Sequence, residues 1–138
     1  MGLVVVQVVT KRLSDGYAGY TDGVNIFLDD RLSSEQMLCT VLHESIHLER
    51  GHVGHQSEAV EMSVRYETAR RLLPLDRIVG VCKDGKSLGS IARDLSVTRQ
   101  VLMDRAATLT DSQASDAGCW ECQKCPAIQM RAAMMVPA

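Results

Sequence analysis

The sequence predicts an α+β fold, with a small N-terminal antiparallel sheet packed on a helix pair and a C-terminal helical segment after it. Three observations carry this expectation. Residues 3–9, "LVVVQVV", are a β-branched run bounded by Gly2 and a charged pair. In "VNIFLDD" the apolar Val24, Ile26 and Leu28 alternate with Asn25 and Asp29, the period of a half-buried strand. From Arg31 onward the pattern changes to helical spacing, and it stays helical to about residue 110.

The first run reads as a buried strand. The section after it, "SDGYAGYTDG", contains two Asp-Gly dipeptides and predicts turns. The strongest helix is "RLSSEQMLCTVLHESIHLERGH". Ser33 and Gln36 have the spacing of a capping box, and Gly51 is a natural stop. Leu38, Val41, Leu42, Ser45 and Ile46 form one stripe, with Gln36, Thr40, His43 and His47 beside it. A second helix over about 56–73 carries Val60, Val64, Ala69, Leu72 and Leu73 before Pro74 ends it. Residues 75–110 predict two or three short helices. Beyond Asp111 the Ser, Gln, Asp, Ala and Gly content predicts a linker. The expected organisation is a core over 1–75, a helical segment over 76–110, and a flexible Cys/Met-rich tail over 111–138.

Hydrophobic residues make up 46 % of the chain and aromatics 4 %, so the core must rest on aliphatic side chains. A formal charge of −2 gives no overall bias toward nucleic acid or membrane surfaces. The apolar N-terminal run has no basic leader and is too short to span a bilayer. Gly2 lacks the Ser or Thr that myristoylation requires, because position 6 is Val6. The expectation is a cytoplasmic protein whose five cysteines are thiols. Cys39 and Cys82 read as small buried hydrophobes. Cys119, Cys122 and Cys125 have metal-knuckle spacing, but only Cys82 and His55 are obvious distant donors for a fourth position. A tail with free thiols is the default, and the Met130, Met134 and Met135 end is open between packing and disorder.

Three of the four histidines lie in "TVLHESIHLERGH". His43 and His47 are one helical turn apart, so both imidazoles can grip one zinc ion. Glu44 points slightly aside, where it can hold a zinc-bound water, take its proton and pass it to the leaving nitrogen of a cut peptide. A solvated helix face would explain the charges but not Leu42 and Ile46 flanking them. The metzincin pattern fails, because Arg50 and Val53 occupy the positions of its glycine and third histidine. The third ligand is then a glutamate of the second helix. Glu61 is preferred, Glu58 is its main competitor, and Glu67 lies further along.

"HESIHLERGH" followed by "EMSVRYETARRLLP" resembles the ImmA/IrrE metallopeptidases, in the small version found in actinobacteria and their phages. His43, Glu44, His47, Gly51 and His52 match that pattern position by position, over a resemblance spanning roughly residues 15–110. The usual Glu-x-Glu-Ala text around the third ligand is absent. The resemblance implies a zincin-like core, a gluzincin-type zinc site, and cleavage of a repressor-like DNA-binding protein in the host cytoplasm. His52 has three readings: a group facing the helix dipole, a support for a ligand, or an oxyanion donor, with Tyr66 and His55 rivals for the last. The strand from Val24 to Leu28 is a candidate to pair with an extended peptide along the cleft, against the default of a plain edge strand.

"SLGSIARDLSVTRQVLMDRAATLT" has a helix-turn-helix look, with Arg99 and Arg105 as candidate phosphate or base contacts. Without a basic stripe, DNA binding is not favoured over docking a repressor or closing the core. Two other functions compete with the peptidase: a DNA-binding transcriptional regulator, and a metal-holding sensor or toxin-like module that does not cut.

Overall fold

The computed structural model describes residues 6–81 and 85–117. Its elements are β1 (Val8–Lys11), β2 (Gly19–Thr21), β3 (Ile26–Asp29), α1 (Ser34–Glu49), α2 (Glu58–Leu72), α3 (Leu75–Ile78), α4 (Leu88–Asp94), α5 (Arg99–Ala107) and α6 (Asp111–Asp116). This is the expected α+β class. Two compact units divide the chain within α2, between Thr68 and Ala69. None of the helices among the described residues is long and apolar enough to cross a membrane.

In the first unit the strand order is β1-β3-β2. The sheet is mixed rather than antiparallel, because β1 pairs with β3 in parallel, while β2 pairs with it antiparallel. The chain reverses twice between β1 and β3, so β3 returns in the direction of β1. It takes the central place because it is the most buried strand, with Ile26 and Leu28 at 1 % and 4 % exposure. The strand starts at Ile26, one alternation later than the sequence predicts. Val24 is exposed in a turn where the Asp22 carboxylate accepts from the amides of Val24 and Asn25. The first strand also differs from expectation. Residues 1–5 lie outside the described residues, and Val8 on β1 is exposed.

Helix α1 packs on β2 and β3. Its start is the capping box that the sequence predicts: Ser33 Oγ accepts from the Gln36 amide, and Gln36 Oε1 accepts from the Ser33 amide. Cys39 and Ile46 are buried, whereas Leu38 of the predicted stripe is exposed. The approach of α1 to the sheet depends on Gly19. A Cβ there would lie 2.7 Å from Thr40 Cγ2 and 2.8 Å from the Phe27 carbonyl oxygen. On β3 and β2, Phe27 and Tyr20 are register partners and stack at 4.7 Å, with Lys11 Nζ 4.6 Å from the Phe27 ring centroid. At the end of β3, Arg31 grips the Asp29 carboxylate and donates to Asp15 and the Leu13 carbonyl. That clamp ties the first reversal to the central strand and holds the Asp29 carboxyl below its usual range.

The second unit packs around Leu73, Ile78, Ile91, Ala92, Val97, Leu102, Ala106 and Leu109. Residues 111–116 form α6 where the composition predicts a linker. Thr110 and Gln113 make a second capping box, and Ala114 and Ala117 are buried, which outweighs the polar composition. Arg105 is buried too, and its guanidinium donates to the Leu73 carbonyl and Thr108 Oγ1. It is a structural clamp, not the nucleic-acid contact the sequence suggests. Cys82, the cysteines at 119, 122 and 125, and Met130, Met134 and Met135 lie outside the described residues.

Candidate metal centre

Helix spacing brings His43 and His47 to one face of α1, their ring centroids 4.9 Å apart. Glu61, one turn into α2, reaches both. Its Oε2 is 3.1 Å from His43 Nε2 and 3.2 Å from His47 Nε2, and the two Nε2 atoms are 3.2 Å apart. Between these helices, Arg50 just past α1 donates to Ser63 Oγ on α2.

The fit of this triangle to a cation can be judged from its edges. Ligands at about 2.0–2.1 Å in a tetrahedron are separated by about 3.3 Å. Three lone-pair atoms at 3.1–3.2 Å from one another are therefore close to that spacing. His43, His47 and Glu61 form the one His/Cys/Asp/Glu group among the described residues with metal-holding geometry, so the chain can hold a metal ion there. Glu58 is exposed, and neither it nor Glu67 belongs to the group.

Electrostatics favour the same reading. Burial, with the neighbouring His47, lowers the His43 pKa, so this imidazole is neutral and its lone pair available near pH 7. Glu44 is 8 % exposed, and burial, with a smaller contribution from the Glu61 charge, pushes its pKa up to about 7. A carboxyl titrating there can both accept and return a proton near neutral pH.

His52 reaches the centre through the end of α1. Gly51 takes φ +71°, the His52 amide donates to the His47 carbonyl, and the Gly51 amide donates to the Leu48 carbonyl. This Schellman turn folds His52 back, and its Nδ1 lies 3.0 Å from His47 Nδ1. Of the three readings of His52, the geometry matches the support for a ligand. An imidazole that offers Nε2 to a cation carries its proton on Nδ1, so with a metal on Nε2 His47 would donate to His52.

The centre opens into a cleft of about 290 Å³, lined by Glu44, His47, His52, His55 and Glu61 on one side and by Tyr17 and β2 on the other. Tyr66, the rival donor, is not among its lining residues. The strand along the cleft is thus β2 rather than the Val24–Leu28 segment, because β3 is central and already paired on both edges. A three-residue strand is too short to show alternation, and in "GYAGYT" the strand formers Tyr17, Tyr20 and Thr21 are interrupted by Ala18 and Gly19. No family model, curated protein or solved structure matches the chain.

Proposed function

We propose that the chain is a zinc-dependent endopeptidase of the ImmA/IrrE kind. The observation that carries the proposal is the meeting of His43 Nε2, His47 Nε2 and Glu61 Oε2 beside the buried carboxyl of Glu44. Two imidazoles and one carboxylate are a donor set that suits zinc and leaves a position open. When bound, zinc supplies Lewis-acid polarisation of a carbonyl and makes a water acidic enough to attack near neutral pH.

The residues around it divide the remaining work. Glu44 takes the proton of the attacking water at a carboxylate oxygen and returns it to the leaving amide nitrogen. Glu44, whose burial raises its pKa to about 7 without a metal, would be held in its carboxylate form, ready to act as a base, by a dication on the three ligands. His52 holds the His47 ring through Nδ1. Among the described residues β2 is an outer strand, and an extended peptide laid along it gains backbone hydrogen bonds while its carbonyl faces the cleft. That mode of recognition suits a polypeptide better than a small molecule. The resemblance at His43, Glu44, His47, Gly51 and His52 supports a repressor-like DNA-binding protein as substrate and the cytoplasm as the place of action.

The test is incubation of zinc-loaded protein with a helix-turn-helix repressor drawn from those encoded in the same genome, the genes nearest its own first. Cleavage that Glu44→Gln and a chelator each abolish supports the proposal. An intact repressor with fully zinc-loaded wild type favours a metal-holding module that does not cut.

A further inference from the structure

We infer that Tyr20 is a specificity-determining residue: the cleft selects an extended peptide with a large apolar side chain, aromatic or β-branched, at the position that pairs with the Tyr20 ring. The inference rests on the peptidase reading above and narrows its substrate class.

The register of the sheet shows which backbone groups β2 offers. The Asp29 amide donates to the Ala18 carbonyl, and the Asp22 amide donates to the Asn25 carbonyl. Each of these pairs is directly opposed in the register that sets Gly19 against Leu28 and Thr21 against Ile26. Bonded pairs alternate with non-bonded ones in an antiparallel ladder, so Tyr20 and Phe27 form the bonded pair between them. The amides and carbonyls of Gly19 and Thr21 therefore point away from β3. Gly19, Tyr20 and Thr21 line the cleft, and β2 is an outer strand among the described residues. A peptide strand added here pairs through Gly19 and Thr21.

The same alternation sorts the side chains. Ile26 and Leu28 are buried on the face that α1 covers, so Phe27 and Tyr20 stand on the other face. Val9, Phe27 and Tyr20 are register partners and make one row across the three strands. The two rings stack at 4.7 Å with 22° between their planes, and Tyr20, at the end of the row, is 38 % exposed. A peptide bonded to Gly19 and Thr21 sets one side chain opposite Tyr20 on that face, whichever direction it runs. The two Cβ atoms are then about 4.5–5.5 Å apart. Aromatic and β-branched side chains gain most from an aromatic cross-strand neighbour. Lys11 Nζ lies 4.6 Å from the Phe27 centroid and 5.8 Å from the Tyr20 centroid, which disfavours a Lys or Arg side chain at the same spot. β2, His43, His47 and Glu61 belong to one compact unit, so the selected position is a fixed number of residues from the cut bond.

The experiment is digestion of a randomised peptide library by the full zinc-loaded chain, with the cut sites read by mass spectrometry. It is followed by kcat/KM on two peptides that differ only at the enriched position, Phe against Ala. The wild type should show one apolar-enriched position and cut the Phe peptide up to about 5-fold faster than the Ala peptide. Tyr20→Thr, which keeps a strand former, should bring that ratio to about one. Tyr20→Lys, next to Lys11, should turn the preference toward Asp and Glu. Far-ultraviolet circular dichroism checks that both variants fold, and the wild-type profile tests the inference without either. An equal loss on both peptides in Tyr20→Thr leaves the ratio unchanged, assigns Tyr20 to sheet stability alone and overturns the inference. A library cut without an apolar position overturns this inference and leaves the peptidase reading standing. A library left uncut by the wild type overturns both.

Discussion

His52 Nδ1 lies 3.0 Å from His47 Nδ1, and the same Schellman turn that ends α1 puts it there. A helix stop thereby gives a candidate metal ligand a hydrogen-bonding partner on its second ring nitrogen. Replacing His52 with Ala should weaken zinc binding about 10- to 100-fold, as loss of a ligand's hydrogen-bond partner commonly does. Asn at this position can offer Oδ1 near the lost Nδ1, so His52→Asn should recover part of the affinity. Competition with a fluorescent zinc chelator measures both. Equal affinities for wild type and His52→Ala would remove His52 from the centre.

Glu44 gives the metal-free protein a specific pH dependence. Its folded pKa, about 7, is above the ordinary 4.5. The folded state therefore favours the protonated form, and this contribution is complete below pH 4.5 and lost as pH rises through about 7. The shift corresponds to at most roughly 3 kcal/mol. In urea unfolding of chelated protein, Glu44→Gln should flatten the decline in stability across that interval. The Asp29 carboxyl acts with the opposite sign. Its folded pKa is lowered by Arg31, so its contribution is present at neutral pH and lost on acidification below the usual carboxylate range.

Gly19 is fixed by space rather than by dihedral angle. Gly19→Ala drives a Cβ into Thr40 Cγ2 and the Phe27 carbonyl oxygen, and the backbone oxygen cannot move without breaking β2–β3 pairing. A loss of about 1–3 kcal/mol is expected in denaturant unfolding. Because β2 lines the cleft, zinc-dependent cleavage should fall as well.

Ser96 offers the reverse case. At φ +57° its side chain is strained, whereas glycine is not. Ser96→Gly should stabilise the protein by about 0.5–1 kcal/mol, visible as a higher melting temperature. A lower one would show that the Ser96 side chain contributes more than its backbone costs.

The His43–Glu44–His47 face was legible because a four-residue spacing on a capped helix dictates it. The choice of Glu61 was legible only to within a turn of α2, since the connection over residues 50–57 sets how that helix is rotated. The mixed sheet was not legible, because local alternation reveals a strand but not the number of reversals before it pairs. β2 was hidden by its three-residue length. In α6 the capping-box residues Thr110 and Gln113 were present, but a polar six-residue helix shows its burial only through Ala114 and its neighbour Ala117. Arg105 misled for a physical reason as well. On an amphipathic helix a basic residue predicts an outward face, whereas here it satisfies the Leu73 carbonyl from inside.

The central claim is that the metal sits on His43, His47 and Glu61, and zinc X-ray absorption of the chain loaded with one equivalent tests it directly. The account predicts a first shell of nitrogen and oxygen alone, at about 2.0–2.2 Å, with the multiple-scattering signature of two imidazoles. A sulfur shell at about 2.3 Å would put the ion on cysteine thiolates and contradict it.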